Sequence, residues 1–338
     1  MQGRNWFVVG ALALAVSRAA AQPVGPAGAL PWPHERPATL PADAVDYGVP
    51  KSNYVVDLHG STHNPDLVLF MAGNQYRVMP DLIRAYQGWI AAQPEWRDVR
   101  AERVFYATTP PGRLIDAMVS GKLEVGNLWL DVAPAALWPD VFMTGPRQHQ
   151  RLRQLGHVEA YFPYARNRGV GLLVKAGNPK QIRTAGDLAR PDVRVAISSP
   201  RREPASYESY AAVIKAQAAA DLADRVLAKP STITPKVVHH RENPQFIADG
   251  NADVAPMYRH FGDYLKRQFP TEFDFVELPA DGNESALLGV ASIQSSPRPR
   301  AARAWVQFLL SDAAAAIYED HGFTAVPRES RTQAIRLP

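Results

Sequence analysis

Cysteine is absent from all 338 residues, which excludes disulfides, a thiol nucleophile and a lipid-modified cysteine behind a leader. Past the first two dozen residues no run is long and apolar enough to cross a bilayer as a helix. The patterns G-x-S-x-G, H-E-x-x-H, the P-loop signature and G-x-G-x-x-G are missing too, and Arg168-Gly169-Val170-Gly171 is too short to stand in for the last. No nucleophile–base arrangement is in sight, so the chain does not read as an enzyme and calls for no cofactor. Charge of one sign is also scarce, with 37 Lys and Arg against 33 Asp and Glu for a formal net charge of +4. That balance argues against nucleic acid or an anionic membrane surface as partner.

What is present begins with a leader. Arg4 precedes the apolar run Trp6 to Val16, and Ala19-Ala20-Ala21 supplies small residues before Gln22. This is the pattern of a cleaved signal peptide over residues 1–21. Cleavage takes away Arg4 and Arg18 and no acid, lowering the formal charge from +4 to +2. Residues 22–52 are rich in Pro, Ala and Gly without periodicity, an extended lead. A free protein in an extracytoplasmic space is expected, and a periplasm suits it best.

The folded part is organised around Asp66 to Tyr86 (DLVLFMAGNQYRVMPDLIRAY). Leu67 to Ala72 reads as a buried strand, Gly73-Asn74-Gln75 as a turn, and Val78, Leu82, Ile83 and Tyr86 as one face of a helix. Such a turn presents free N–H groups and the positive end of a helix dipole, suited to a small anion. Similar units recur. Arg103 to Ala107 runs into Thr108-Thr109-Pro110-Pro111-Gly112, and Val193 to Ile197 runs into the Ser198 to Ser206 loop. Lys236 to His239 reads as a strand before Glu242-Asn243-Pro244, with Asn243 as N-cap and Pro244 at the first helical position. Ala252 to Met257 is a further strand with Tyr258 at its end. Alternating strands and helices predict α/β architecture with mainly parallel sheets.

His239-His240-Arg241-Glu242 is a separate signal. On a strand, adjacent histidines point to opposite faces, which argues against one metal held by both. The pair is open to three readings: a solvent-facing strand end, contact with a ligand, or one histidine joining Glu203 and His260 around a cation.

Three blocks carry a family resemblance: LVLFMAGNQYRVMPDLIRAYQ, GVGLLVKAGNPKQIRTAGDLARPDVRVAI, and AWVQFLLSDAAAAIYEDHGFTAV. Over Asp66 to Val326 the chain resembles a type II periplasmic solute-binding protein and is most similar to the molybdate/tungstate-binding branch. The resemblance implies two lobes, residues 53–168 with 285–338 and residues 169–284, joined by two crossing segments around a cleft. It implies a monomeric protein that hands a small ligand, a molybdate-like oxyanion, to the permease of an ABC importer. Carried over residue by residue, the ligand-binding turns fall on Asn74 and Gln75, Thr108 and Thr109, Ala205 and Ser206, Asn243, and the tyrosine on Tyr258. The first turn departs from the pattern, with Asn74 and Gln75 in place of a serine hydroxyl. A carrier of a transition metal or metal complex, with Glu203, His239 and His240 as ligands, is the alternative. A ligand-sensing accessory module on the same fold is a third reading.

Overall fold

The computed structural model describes residues 57–338 except 61, 126, 127, 237 and 284; the expected signal peptide and the Pro-rich lead lie outside the described residues. A short strand β1 (Leu58–His59) precedes β2 (Leu67–Met71), whose five apolar side chains are all buried. Gly73–Gln75 makes one 3-10 turn and leads to α1 (Met79–Ala92), which buries Met79, Leu82, Tyr86 and Ile90 at helical spacing. Next come β3 (Val104–Ala107), α2 (Pro111–Ser120), the hairpin of β4 (Lys122–Val125) and β5 (Leu128–Asp131), β6 (Val141–Thr144) and α3 (Pro146–Gln154).

The chain then leaves this sheet through β7 (Ala160–Arg166) and enters a second one as β8 (Val170–Lys175). The second lobe holds α4 (Pro204–Gln217), α5 (Leu222–Ala228), α6 (His239–Ala248), β9 (Val254–Tyr258), α7 (Arg259–Gln268) and β10 (Phe273–Glu277). Strand β11 (Leu287–Ser292) returns the chain to the first sheet, and α8 (Pro299–Leu309), α9 (Asp312–Asp320) and β12 (Thr324–Ala325) complete that lobe.

The sheets are mixed where mainly parallel ones are predicted. In the first, β2 runs parallel to β3 and β6, but β11 is antiparallel to both β6 and β7. In the second, β8 is antiparallel to β9 and β10. The reason is the double crossing. An outgoing strand pair, β7 and β8, lies beside a returning pair, β10 and β11, and chains running in opposite senses pair antiparallel.

Two asparagines bind the crossings together. Asn167 Oδ1 accepts from Ala286 N at 2.7 Å, while Asn283 Oδ1 accepts from Val170 N at 2.8 Å and its Nδ2 donates to Val170 O at 2.7 Å. Gly169 between them has φ +81°, and a Cβ there would stand 2.6 Å from Asn283 Oδ1. Each lobe has its own core. Tyr76 is the exception: it leaves the first turn of lobe one and packs into the core of lobe two. Asn283→Ala strips the Val170 backbone of both partners at the crossing. The expected outcome is a loss on the order of 1–3 kcal/mol in chemical denaturation, with the secondary structure content unchanged by circular dichroism.

Candidate functional site

The start of α6 is where the lobes meet, and its local structure differs from the sequence prediction. The helix begins at His239, with Val238 as N-cap, and Asn243 and Pro244 lie inside it. Carboxylates decide this. Glu242 in the first turn folds back to accept from Lys236 N at 3.0 Å and Val238 N at 2.7 Å. Glu203, the residue before α4, accepts from His239 N at 2.8 Å. Glu203 thus meets the first N–H of the helix, Glu242 meets two just before it, and both acids oppose the positive end of the dipole. Pro244 is the sixth residue of the helix and, lacking an N–H, leaves His240 O without its i→i+4 donor.

The strand argument against a joint role for the histidines therefore fails. In a helical turn they sit edge to face, ring centroids 5.4 Å apart. His239 Nδ1–H donates to Glu203 Oε1 at 2.9 Å, and the Tyr210 hydroxyl pairs with Nε2 at 2.5 Å. His240 packs against Tyr76 and Phe261. Gly73 makes this approach possible, since a Cβ there would lie 2.4 Å from Thr108 O and 2.6 Å from His240 Cε1. One nitrogen of each histidine and one oxygen of Glu203 lie within 4.8 Å of one another, and all three residues are buried.

Lobe one faces this cluster with Asp57, His59, the Gly73–Gln75 turn and Thr108-Thr109. Asp57 accepts from Thr108 Oγ1 at 3.0 Å and pairs across the cleft with Arg241 at 3.3 Å, both side chains 2% exposed. Burial nonetheless pushes the Asp57 carboxyl up to about 6, outweighing Arg241 and Thr108, with Glu203 adding to the rise. Arg241 also lies 4.2 Å above the Tyr76 ring. Further contacts bridge the lobes: the Arg77 guanidinium donates to the Tyr264 hydroxyl at 2.9 Å, and Arg147 pairs with Glu208.

The predicted ligand residues meet different fates. Gln75 is turned into lobe one: its Oε1 accepts from the hydroxyls of Tyr164 and Tyr318, its Nε2 donates to Met143 O, and it has no exposure. Thr108 is engaged by Asp57. Ala205 is exposed on α4, while Ser206, with Ser209, hydrogen-bonds the Tyr258 hydroxyl inside lobe two. Asn74, Thr109 and Asn243 each carry a buried side-chain oxygen with no hydrogen-bond partner among the described residues. Ser198 Oγ and His240 Nε2 share that condition. Sequence reasoning missed Asp57, Ser198, Tyr76, Tyr210 and Arg241. Only Arg241, beside the histidine pair, carried a local signal.

His260 ties the lobes in a pH-sensitive way. Its Nε2 lies 2.9 Å from Asn74 O. A carbonyl only accepts, so Nε2 carries a proton. Burial pushes its pKa down to about 3, with His321 adding to the drop and the Asn74 bond opposing it. Between about 3 and the ordinary value of 6.5 the unfolded chain binds this proton and the folded one does not. Stability from this group is complete above 6.5 and is lost as pH falls, by about 1.4 kcal/mol per unit. Buried His59 and His240, both held well below 6.5 mainly by burial, act in the same direction. Asp57 opposes them: its raised carboxyl destabilises the fold as pH rises from 3.8 to about 6. His260→Gln is expected to flatten the fall in melting temperature between pH 6.5 and 4 relative to the unaltered chain. An unchanged slope removes His260 from that linkage.

Comparison with known proteins places this geometry. Among solved structures the chain is similar to the sulfate-binding protein SubI of Mycobacterium tuberculosis H37Rv, at 19% identity and a TM-score of 0.56, covering 80% of this chain and 89% of that one. It is similar to the periplasmic molybdate-binding protein of Azotobacter vinelandii, at 17% identity and a TM-score of 0.56, covering 77% and 99%. Iron-bound HitA of Pseudomonas aeruginosa aligns at 18% identity and a TM-score of 0.52, covering 81% and 89%. These likenesses show a shared two-lobed fold. No curated protein sequence matches. Residues 67–324 match the family of bacterial extracellular solute-binding proteins, and the chain belongs to that family.

Proposed function

We propose that this protein captures a small inorganic ion between its lobes and presents it to an ABC importer. The coarser role follows from the family: members are extracellular solute-binding proteins, which bind their solutes without transforming them. The observation that carries the finer reading is the set of buried oxygens and nitrogens on both sides of the cleft, Asn74 and Thr109 from lobe one and Ser198, His240 and Asn243 from lobe two, that lack partners among the described residues. An unsatisfied buried polar group costs on the order of 1–3 kcal/mol, and a bound solute that supplies the missing bonds turns that cost into affinity for the closed form.

Two ion classes suit the fold, since the similar structures include carriers named for sulfate and molybdate and one bound to iron. The hydroxyls of Thr109 and Ser198, from opposite lobes, favour an oxyanion. Glu203 and Glu242 weigh against one at the start of α6, where Glu203 already occupies His239 N and both acids place a carboxylate at the positive end of the dipole.

A thermal-shift and small-angle scattering panel of molybdate, tungstate, sulfate, phosphate, zinc, nickel and copper tests the capture. At least one ion is expected to raise the melting temperature and compact the particle; no response to any of them overturns the reading. Thr109→Val and Ser198→Ala together are expected to weaken an anion by on the order of 1–3 kcal/mol per lost donor. For export, the intact mass of protein recovered from the periplasm is expected to begin at Gln22. A mass that retains Met1 to Ala21 overturns the cleavage assignment.

A further inference from the structure

We propose that Glu203, His239 and His240 form a binding site for a divalent transition-metal ion, and that this ion is the cargo. The inference rests on the reading that a small ion is held between the lobes, and it names the class.

The donor set is the first ground. Two imidazole nitrogens and a carboxylate oxygen suit zinc, nickel, copper or iron(II), whereas magnesium and calcium favour oxygen throughout. A tetrahedral ion with ligands at about 2.1 Å sets donor atoms about 3.4 Å apart. The three donors already stand within 4.8 Å of one another, so a small rotation of side chains closes the site.

The second ground is His240 itself. The residue is 2% exposed, yet its Nε2 has no hydrogen-bond partner among the described residues.

The third ground is the support behind His239. Ligating histidines commonly give their other ring N–H to an oxygen that fixes the ring. With a metal on Nδ1, beside Glu203, the Nε2–H donates to Tyr210, already 2.5 Å away. All three ligands belong to lobe two. The ion therefore loads on that lobe, and lobe one closes over it, bringing Gly73 against His240.

Protein stripped with a chelator and titrated with zinc, nickel and copper in competition with a chromophoric chelator tests the site. The expected result is about one ion per chain, with calcium and magnesium failing to compete. The Cu(II) spin-resonance spectrum is expected to show nitrogen coupling from two imidazoles, reduced to one in His240→Ala. Glu203→Gln keeps one oxygen to accept from His239 N, while its amide N–H can donate to His239 Nδ1 in the other tautomer, and so preserves the fold, yet it is expected to weaken the ion more than about tenfold. Tyr210→Phe is expected to weaken it about 10–100-fold while leaving both nitrogens in the spectrum. A spectrum without imidazole nitrogen, or zinc affinity unchanged in both His240→Ala and Glu203→Gln, overturns the metal site. Stabilisation by oxyanions alone, abolished in Ser198→Ala, overturns it as well and leaves capture between the lobes standing. Binding of neither class overturns both.

Discussion

Two carboxylates converge on the first turn of α6, and the rest of the cleft depends on them. Glu242 closes the turn from within the helix, and Glu203 reaches it from the start of α4. Together they satisfy the free N–H groups, set where the helix begins, and thereby bring His239 and His240 side by side. A helix start with no acids attracts anions; one already holding two acids does not.

The neutral charge balance of the cleft follows. Asp57 and Arg241 offset one another across the lobes, and Glu203 is matched by the donors of His239. Burying these groups is costly, and the rise of the Asp57 pKa to about 6 measures how far burial outruns the ion pair. Such a pair adds little net stability, but it opposes closure in the wrong register, since removing either partner leaves a lone buried charge. Tyr76 seated in the core of lobe two supplies the apolar part of the contact.

Opening and closing must act through the two crossings, because they alone connect the sheets covalently. Asn167 and Asn283 tie the outgoing and returning strands with side-chain bonds to backbone groups. The outgoing and returning strands are thereby held to one another at the crossing. Parting the lobes would draw Tyr76 out of the core of lobe two, which adds an apolar cost to opening.

Local pattern alone determined much of this protein. The apolar run Leu67–Met71, the helical period of Met79–Ala92 and the αL glycine at 121 that ends α2 are short-range features, decided by burial period and backbone sterics within one element. Family resemblance carried the two-lobed fold and brought attention to Asn74, Thr109 and Asn243. Tertiary structure decided the rest. Glu203 lies 36 residues before His239, and Asp57 lies 184 residues before Arg241, so no window of sequence joins them. Read locally, His239 belongs to a strand and Asn243 caps a helix; a carboxylate arriving from the residue before α4 changes both, because a distant acceptor that satisfies an N–H can start a helix five residues early. Gln75 was likewise placed by distant tyrosines, whose hydroxyls draw its side chain into the core and away from the cleft.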